Sequence, residues 1–335
     1  MKRLVLAVAG LALVAAQPAP VGLEALLADT PAPTLAAYRL FTDTGATKPN
    51  VRVTPYTLTT PLFSDHALKH RYVFVPPGKT IGYRANGVLD FPVGTALVKT
   101  FAYPVDLRIA GAPERFLETR LLVRKADGWT ALPYVWNAAG TEAVLKKAGT
   151  RLDASWVHTD GQPRRVRWSV PNVNQCKGCH ASGDAIIPIG PKAWNLGTKQ
   201  LASWTRLGLM AAARDVPKVP AWDDDRAPVA IRAQAYLDVN CAHCHNARGP
   251  ASNSGLFLDL GQPDRVAYGI GKRPVAAGRA SGDREVAIAP GAPDASILLY
   301  RMESTEPGVM MPELGRTLRH AEGVALVRAY IEGLK

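Results

Sequence analysis

The chain has 335 residues, 47% of them hydrophobic and 7% aromatic, and a formal charge of +12. That length gives two or three domains room for substantial cores, and the composition excludes a disordered, collagenous or low-complexity protein. The charge suits an acidic partner or an anionic surface; no dense Lys/Arg run and no nucleic-acid motif accompanies it, which argues against nucleic acid.

In chain order, Met1, Lys2 and Arg3 precede an apolar run from Leu4 to Val14, with small residues at Val14-Ala15-Ala16. This predicts a cleaved secretory signal over 1-16, too short to span a bilayer comfortably, and so an exported, periplasmic chain with no transmembrane span once mature. An uncleaved membrane anchor is the alternative. Cleavage removes Lys2 and Arg3, so 38 basic residues face 28 acidic ones, a charge of +10. Residues 17-50 are rich in Ala, Pro and Thr without a sustained period, and read as a tether or loosely packed arm.

Residues 51-170 read as a β-rich, sandwich-like domain, which with the helical remainder predicts an α+β chain. Asn86-Gly87, Asp127-Gly128 and Asp160-Gly161 each separate β-forming runs. The clearest hairpin runs from Phe116 to Arg124, turns at Asp127-Gly128, and returns from Trp129 to Trp136. Within this domain Asp65, His66 and His70 lie close together, either as metal or cofactor ligands or as a polar surface cluster.

Residues 171-216 hold Cys176-Lys177-Gly178-Cys179-His180, an irregular apolar loop from Ile186 to Pro191, and helical character from Gln200 to Ala213. A linker over 217-227 carries Asp223-Asp224-Asp225 and leads to Pro228, a helix start. Over 228-335, Val229, Ala233, Tyr236 and Leu237 mark a helix running into Cys241-Ala242-His243-Cys244-His245, and Val324, Val327, Tyr330 and Ile331 mark a closing helix.

The two pentapeptides are both Cys-x-x-Cys-His and use all four cysteines. This is the attachment pattern of c-type haem: two thiols reach the two vinyl groups of one porphyrin edge, and the next residue gives an imidazole nitrogen to the iron. Cys176, Cys179, Cys241 and Cys244 are therefore the expected attachment points of two covalent haem c groups, with His180 and His245 as proximal ligands. A zinc site, redox dithiols or disulfides are the competing readings; none of them requires a histidine after both pairs.

The chain resembles a largely uncharacterised bacterial family of exported dihaem c-type cytochromes with an N-terminal β domain. The resemblance rests on the two pentapeptides and on Thr60-Pro61-Leu62-Phe63-Ser64-Asp65, Asp90-Phe91-Pro92-Val93-Gly94-Thr95, Leu132-Pro133-Tyr134-Val135-Trp136-Asn137, Pro188-Ile189-Gly190-Pro191-Lys192 and Met311-Pro312-Glu313-Leu314-Gly315. It implies two covalent haems and an extracytoplasmic location, and supplies no substrate. The C-terminal part is similar to a small cytochrome c domain, in which the first and last helices cross beside the haem.

For the second iron Met311, before Pro312, is the expected distal ligand, with Met310 the alternative; a His/Met pair gives a closed electron-transfer site. For the first iron Met210, a histidine of the β domain (His66, His70 or His158) and an open position all stand. Electron transfer between redox partners, possibly acidic ones, is the expected function. A dihaem peroxidase with one open iron is the alternative.

Overall fold

The hairpin at Asp127-Gly128 lies within a six-stranded antiparallel meander, in a computed structural model that describes residues 17–335. The expected secretory signal lies outside the described residues. The strands are β1 (Val53–Pro55), β2 (Leu68–Phe74), β3 (Ala96–Pro104), β4 (Glu114–Lys125), β5 (Gly128–Trp136) and β6 (Ala143–Leu145), each paired with its sequence neighbour. Two further strands, β7 (Thr150–Val157) and β8 (Pro163–Val170), form a separate hairpin around Asp160-Gly161, where Gly161 takes the positive φ (79°) that the turn needs.

Register assigns the two faces of the sheet. Tyr72, Val98, Leu121 and Leu132 stand opposite one another on one face, and Arg71, Lys99, Arg120 and Pro133 on the other. The first face is covered by residues 17-50, which corrects the expectation of a loose arm. That segment forms α1 (Leu23–Leu27) and a 3-10 turn (Leu35–Tyr38), and it buries Val21, Leu26, Leu35, Tyr38 and Leu40 in one core with Val98, Leu121 and Tyr134. Tyr38 and Tyr134 share a hydrogen bond at 2.8 Å inside it. Its scattered apolar residues have no helical or strand period because they pack as an irregular lid.

The second face is not covered by a second full sheet, so the sandwich expectation is met only in part. At one end the β7–β8 hairpin packs Trp156 and Trp168 against Phe101 and Val135. At the other, helix residues Leu196, Leu201 and Trp204 pack against Val73 and Leu97. Between them runs the Arg71–Lys99–Arg120 row.

The helical elements are α2 (Val173–His180), α3 (Ala193–Arg206), α4 (Val229–Asn240), α5 (Ile297–Glu303) and α6 (Ala321–Glu332), with a two-residue-strand hairpin β9–β10 (Ala181–Ser182, Ala185–Ile186) between α2 and α3. The helix expected over 200-213 instead begins earlier, kinks at Gly197 (φ 71°), and stops at Arg206. Beyond it Leu207 is exposed, Gly208 turns with φ 69°, and Met210 pairs with Ile81 in extended backbone. α4 and α6 cross closely: a Cβ on Gly323 would sit 2.4 Å from the Tyr236 hydroxyl oxygen. Ala233, Tyr236, Leu237, Val324, Val327, Tyr330 and Ile331 share one buried core there. An α+β class describes the whole.

Residues 60-66 fasten the sheet to the helices. The Thr60 amide donates to Asn195 Oδ1 on α3 (2.7 Å), and the Phe63 amide to Asn240 Oδ1 at the end of α4 (2.8 Å). The buried Asp65 carboxylate accepts the amides of Thr317 (2.8 Å) and Leu318 (2.7 Å) and the Thr317 hydroxyl (3.0 Å). Asp65 and His66 both take left-handed backbone, φ 46° and 62°, which turns the carboxylate's segment toward that loop.

Candidate functional site

Helix α2 exists to present the first pentapeptide. Asn172 caps it by accepting the Gln175 amide at 2.8 Å, while the Gln175 side chain accepts the Asn172 amide at 3.0 Å. The eight residues thus end with Cys176 buried and His180 at the last turn. The β9–β10 hairpin then folds the chain back. The Ile187 amide donates to the His180 carbonyl at 2.8 Å, and His180 Nδ1–H donates to the Ile187 carbonyl at 2.7 Å. That bond fixes the tautomer and leaves Nε2 free. Burial holds the imidazole down at a pKa of about 4, so it is neutral at physiological pH.

The second pentapeptide begins as α4 ends. Cys241 closes the helix, its amide bonded to the Leu237 carbonyl at 2.8 Å. His245 Nδ1 lies 3.3 Å from Ser254 Oγ; that hydroxyl donates to the Ala251 carbonyl (2.7 Å), so its oxygen accepts from the imidazole. Burial lowers this pKa also to about 4, with the nearby Arg301 charge adding to the effect. Gly249 is needed behind it, because a Cβ there would lie 2.2 Å from the Cys244 carbonyl oxygen.

Each pentapeptide opens on a cavity. The first holds about 170 Å³ and is lined by Cys176, Cys179 and His180, the 188–191 loop, and the Arg71–Lys99–Arg120 row. The second holds about 450 Å³ and is lined by Cys241, Cys244 and His245, with Leu256, Leu258 and Leu298 as apolar wall. Both far exceed the roughly 10–15 Å³ that one water occupies. They meet where the motifs touch: Cys244 Sγ lies 3.4 Å from the Gly178 carbonyl, and hydrogen bonds from Cys244, then His243, hold the Cys179 thiol below its ordinary range. Burial pushes Cys176 up, and Cys241 to about 12. All four cysteines are free. Among the described residues no three His, Cys, Asp or Glu side chains are grouped to hold a metal ion between them. What the chain offers instead is single imidazole nitrogens, each beside a thiol pair and a cavity.

Met311 lines both cavities and Met310 lines neither. The loop carrying Met311 is held from several sides. Its amide donates to the Arg301 carbonyl (2.9 Å), and the buried Arg316 guanidinium donates to the carbonyls of Met311 (2.8 Å), Leu318 (3.1 Å) and Ser304 (2.8 Å).

The sequence candidates opposite His180 fare differently. Met210 is buried with Ile81, Leu201 and Trp204, away from both cavities. His70 Nε2 is tied to Glu114 at 2.5 Å. His66 and His158 pack ring to ring at 4.6 Å outside the cavity. None of the four borders the first cavity; His243 and His320 do. His320 stacks on Phe63 at 4.1 Å and meets the Tyr236 hydroxyl through Nδ1 at 2.9 Å. Sequence reasoning missed it because nothing near 320 has motif spacing; the signal, a lone histidine before the last apolar helix, is weak.

Among the described residues no helix is long and apolar enough to cross a membrane. Compared with known proteins, the chain matches no family model, no curated protein and no solved structure.

Proposed function

We propose that this chain is an exported dihaem c-type cytochrome that passes electrons between redox partners, with one haem c on Cys176 and Cys179 and the other on Cys241 and Cys244. The observation that carries the reading is the pairing of two Cys-x-x-Cys-His segments, each with its imidazole neutral and tied through Nδ1, on two cavities that meet at Cys179 and Cys244. The haem iron supplies the one-electron chemistry when bound. With haem bound, His180 and His245 would offer Nε2 and Met311 its thioether to the second iron, and a His/Met pair would raise the potential. In this reading residues 228-335 are a cytochrome c-like domain, α4 and α6 being the crossing pair, and the resemblance to exported dihaem cytochromes stands with it. Cys179 and Cys244 lie against each other, so groups attached there would have a short route for an electron between them.

Partner contacts of such a carrier are small, below about 1,200 Å². With a mature charge of +10, exchange with an acidic partner is expected to be fast at low salt and to slow steeply as salt rises. The test mixes the reduced protein with an acidic redox protein and, separately, with hydrogen peroxide. Salt-sensitive exchange without peroxide turnover is the expected result; saturable peroxide reduction with a high-spin, cyanide-binding first haem would replace the carrier by a peroxidase.

A further inference from the structure

Arg71, Lys99 and Arg120 stand directly opposite one another on β2, β3 and β4. Like charges in cross-strand register repel and weaken the sheet unless an opposite charge offsets them. Among the described residues no Asp or Glu side chain lines the first cavity, which all three border. Glu118, a carboxylate beside the row, is engaged: its Oε1 accepts from Arg120 (2.5 Å) and from Trp168 Nε1 (2.9 Å). Arg120 still has a buried Nε with no partner. Lys99 and Arg120 both lie over the Phe101 ring, at 4.9 and 4.5 Å. Desolvation, then the charges of Arg120 and Arg71, hold Lys99 down at about 7, against a smaller opposing effect of Glu118 and Cys179.

The cavity joins this row to the first pentapeptide, for Cys176, Cys179 and His180 line it too. Resting on the reading of that pentapeptide as a haem attachment site, we infer that the Arg71–Lys99–Arg120 row binds the two propionate carboxylates of the first haem. The β domain is then one wall of a haem site rather than a separate module. The apolar clusters on either side of the row, around Trp204 and around Trp168, frame the cationic strip. Two carboxylates offset the row's repulsion, and Arg120 Nε gains an acceptor.

The sign of the effect follows from charge. Reduction adds an electron at the iron, so nearby cations favour the ferrous state, and removing one lowers the potential. The experiment is a potentiometric titration of the holoprotein, followed in the haem absorption bands, after mass spectrometry has established two covalent haems. In Lys99→Met one haem should shift about tenfold toward ferric at a given potential, a fall of about 59 mV for one electron. Lys99→Arg should shift it far less, and the other haem should not move. If Lys99→Met fails to fold, Arg71→Gln carries the same expected sign. Unchanged midpoints in a dihaem protein would overturn this inference alone; a wild-type chain without covalent haem would instead sink the functional reading beneath it. Sulfate added to the wild type should leave the spectrum and midpoints unchanged. A sulfate-dependent shift that Lys99→Met abolishes would show the row open to an external anion, and so also overturn the inference.

Discussion

The two Cys-x-x-Cys-His sites are built by opposite strategies. The second draws most of its parts from the C-terminal third, with Gly178 and Cys179 of the first motif the exception: α4 delivers Cys241, the next turns supply Ser254 and Leu258, and the 301–316 segment supplies Met311, which borders both cavities, and its guanidinium clamp. The first is assembled from afar. Its thiols ride on α2, a helix of only eight residues, and its walls come from β2, β3, β4, the 188–191 loop and the end of α4. One site therefore depends on local packing, and the other on the joints between regions.

Removing the Met311 sulfur gives the largest expected effect and tests whether the second site is closed. Met311→Ala should abolish the sulfur-to-iron charge-transfer band and lower that haem's potential, while Met310→Ala leaves both nearly unchanged. Optical and redox titration of both variants checks it; the reverse pattern moves the ligand back one residue.

The joint is tested at Asp65. Asp65→Ala leaves the amides of Thr317 and Leu318 without their acceptor, and charge-assisted bonds of this kind contribute about 1.5–3 kcal/mol each. A loss of about 3 kcal/mol in urea unfolding is expected. The first haem's spectrum should change with it, since Phe63 and His320 beside this joint line the first cavity. A variant that loses stability but leaves the first haem untouched would break the contrast between a self-contained and an assembled site.

A smaller effect is expected at the α4–α6 crossing. Gly323→Ala pushes a methyl into the Tyr236 hydroxyl and His320 Nδ1, at 2.4 and 2.6 Å. Overpacking of this kind costs about 1–3 kcal/mol. Unfolding midpoints measure it, and an unchanged midpoint would mean that the helices can part without loss.

The same contrast explains what the sequence made legible. The segments around the second site carry local patterns: a helix start at Pro228, a pentapeptide, a Met-Pro pair and a closing apolar face; Ser254, Leu258 and Arg316 carry none. The α4 and α6 faces fell where their periodicity put them, with Val324, Val327, Tyr330 and Ile331 all buried. The first site was legible only in its thiols and His180. Its cationic row is spread over Arg71, Lys99 and Arg120, which only strand register brings together. Met210 misled because Leu201 and Trp204 have helical spacing, yet Gly208 breaks the helix before Met210 is reached. The 17-50 segment misled because an irregular lid buries its apolar side chains without any period.

The central claim is that both pentapeptides carry a covalent cofactor, and intact-mass spectrometry of the exported protein tests it most directly. The account predicts the mass of the processed chain plus two haems, with attachment of the first weakened in Cys176→Ala and of the second in Cys241→Ala. A chain at its bare polypeptide mass, matured under conditions that attach haem to other exported cytochromes, would contradict it.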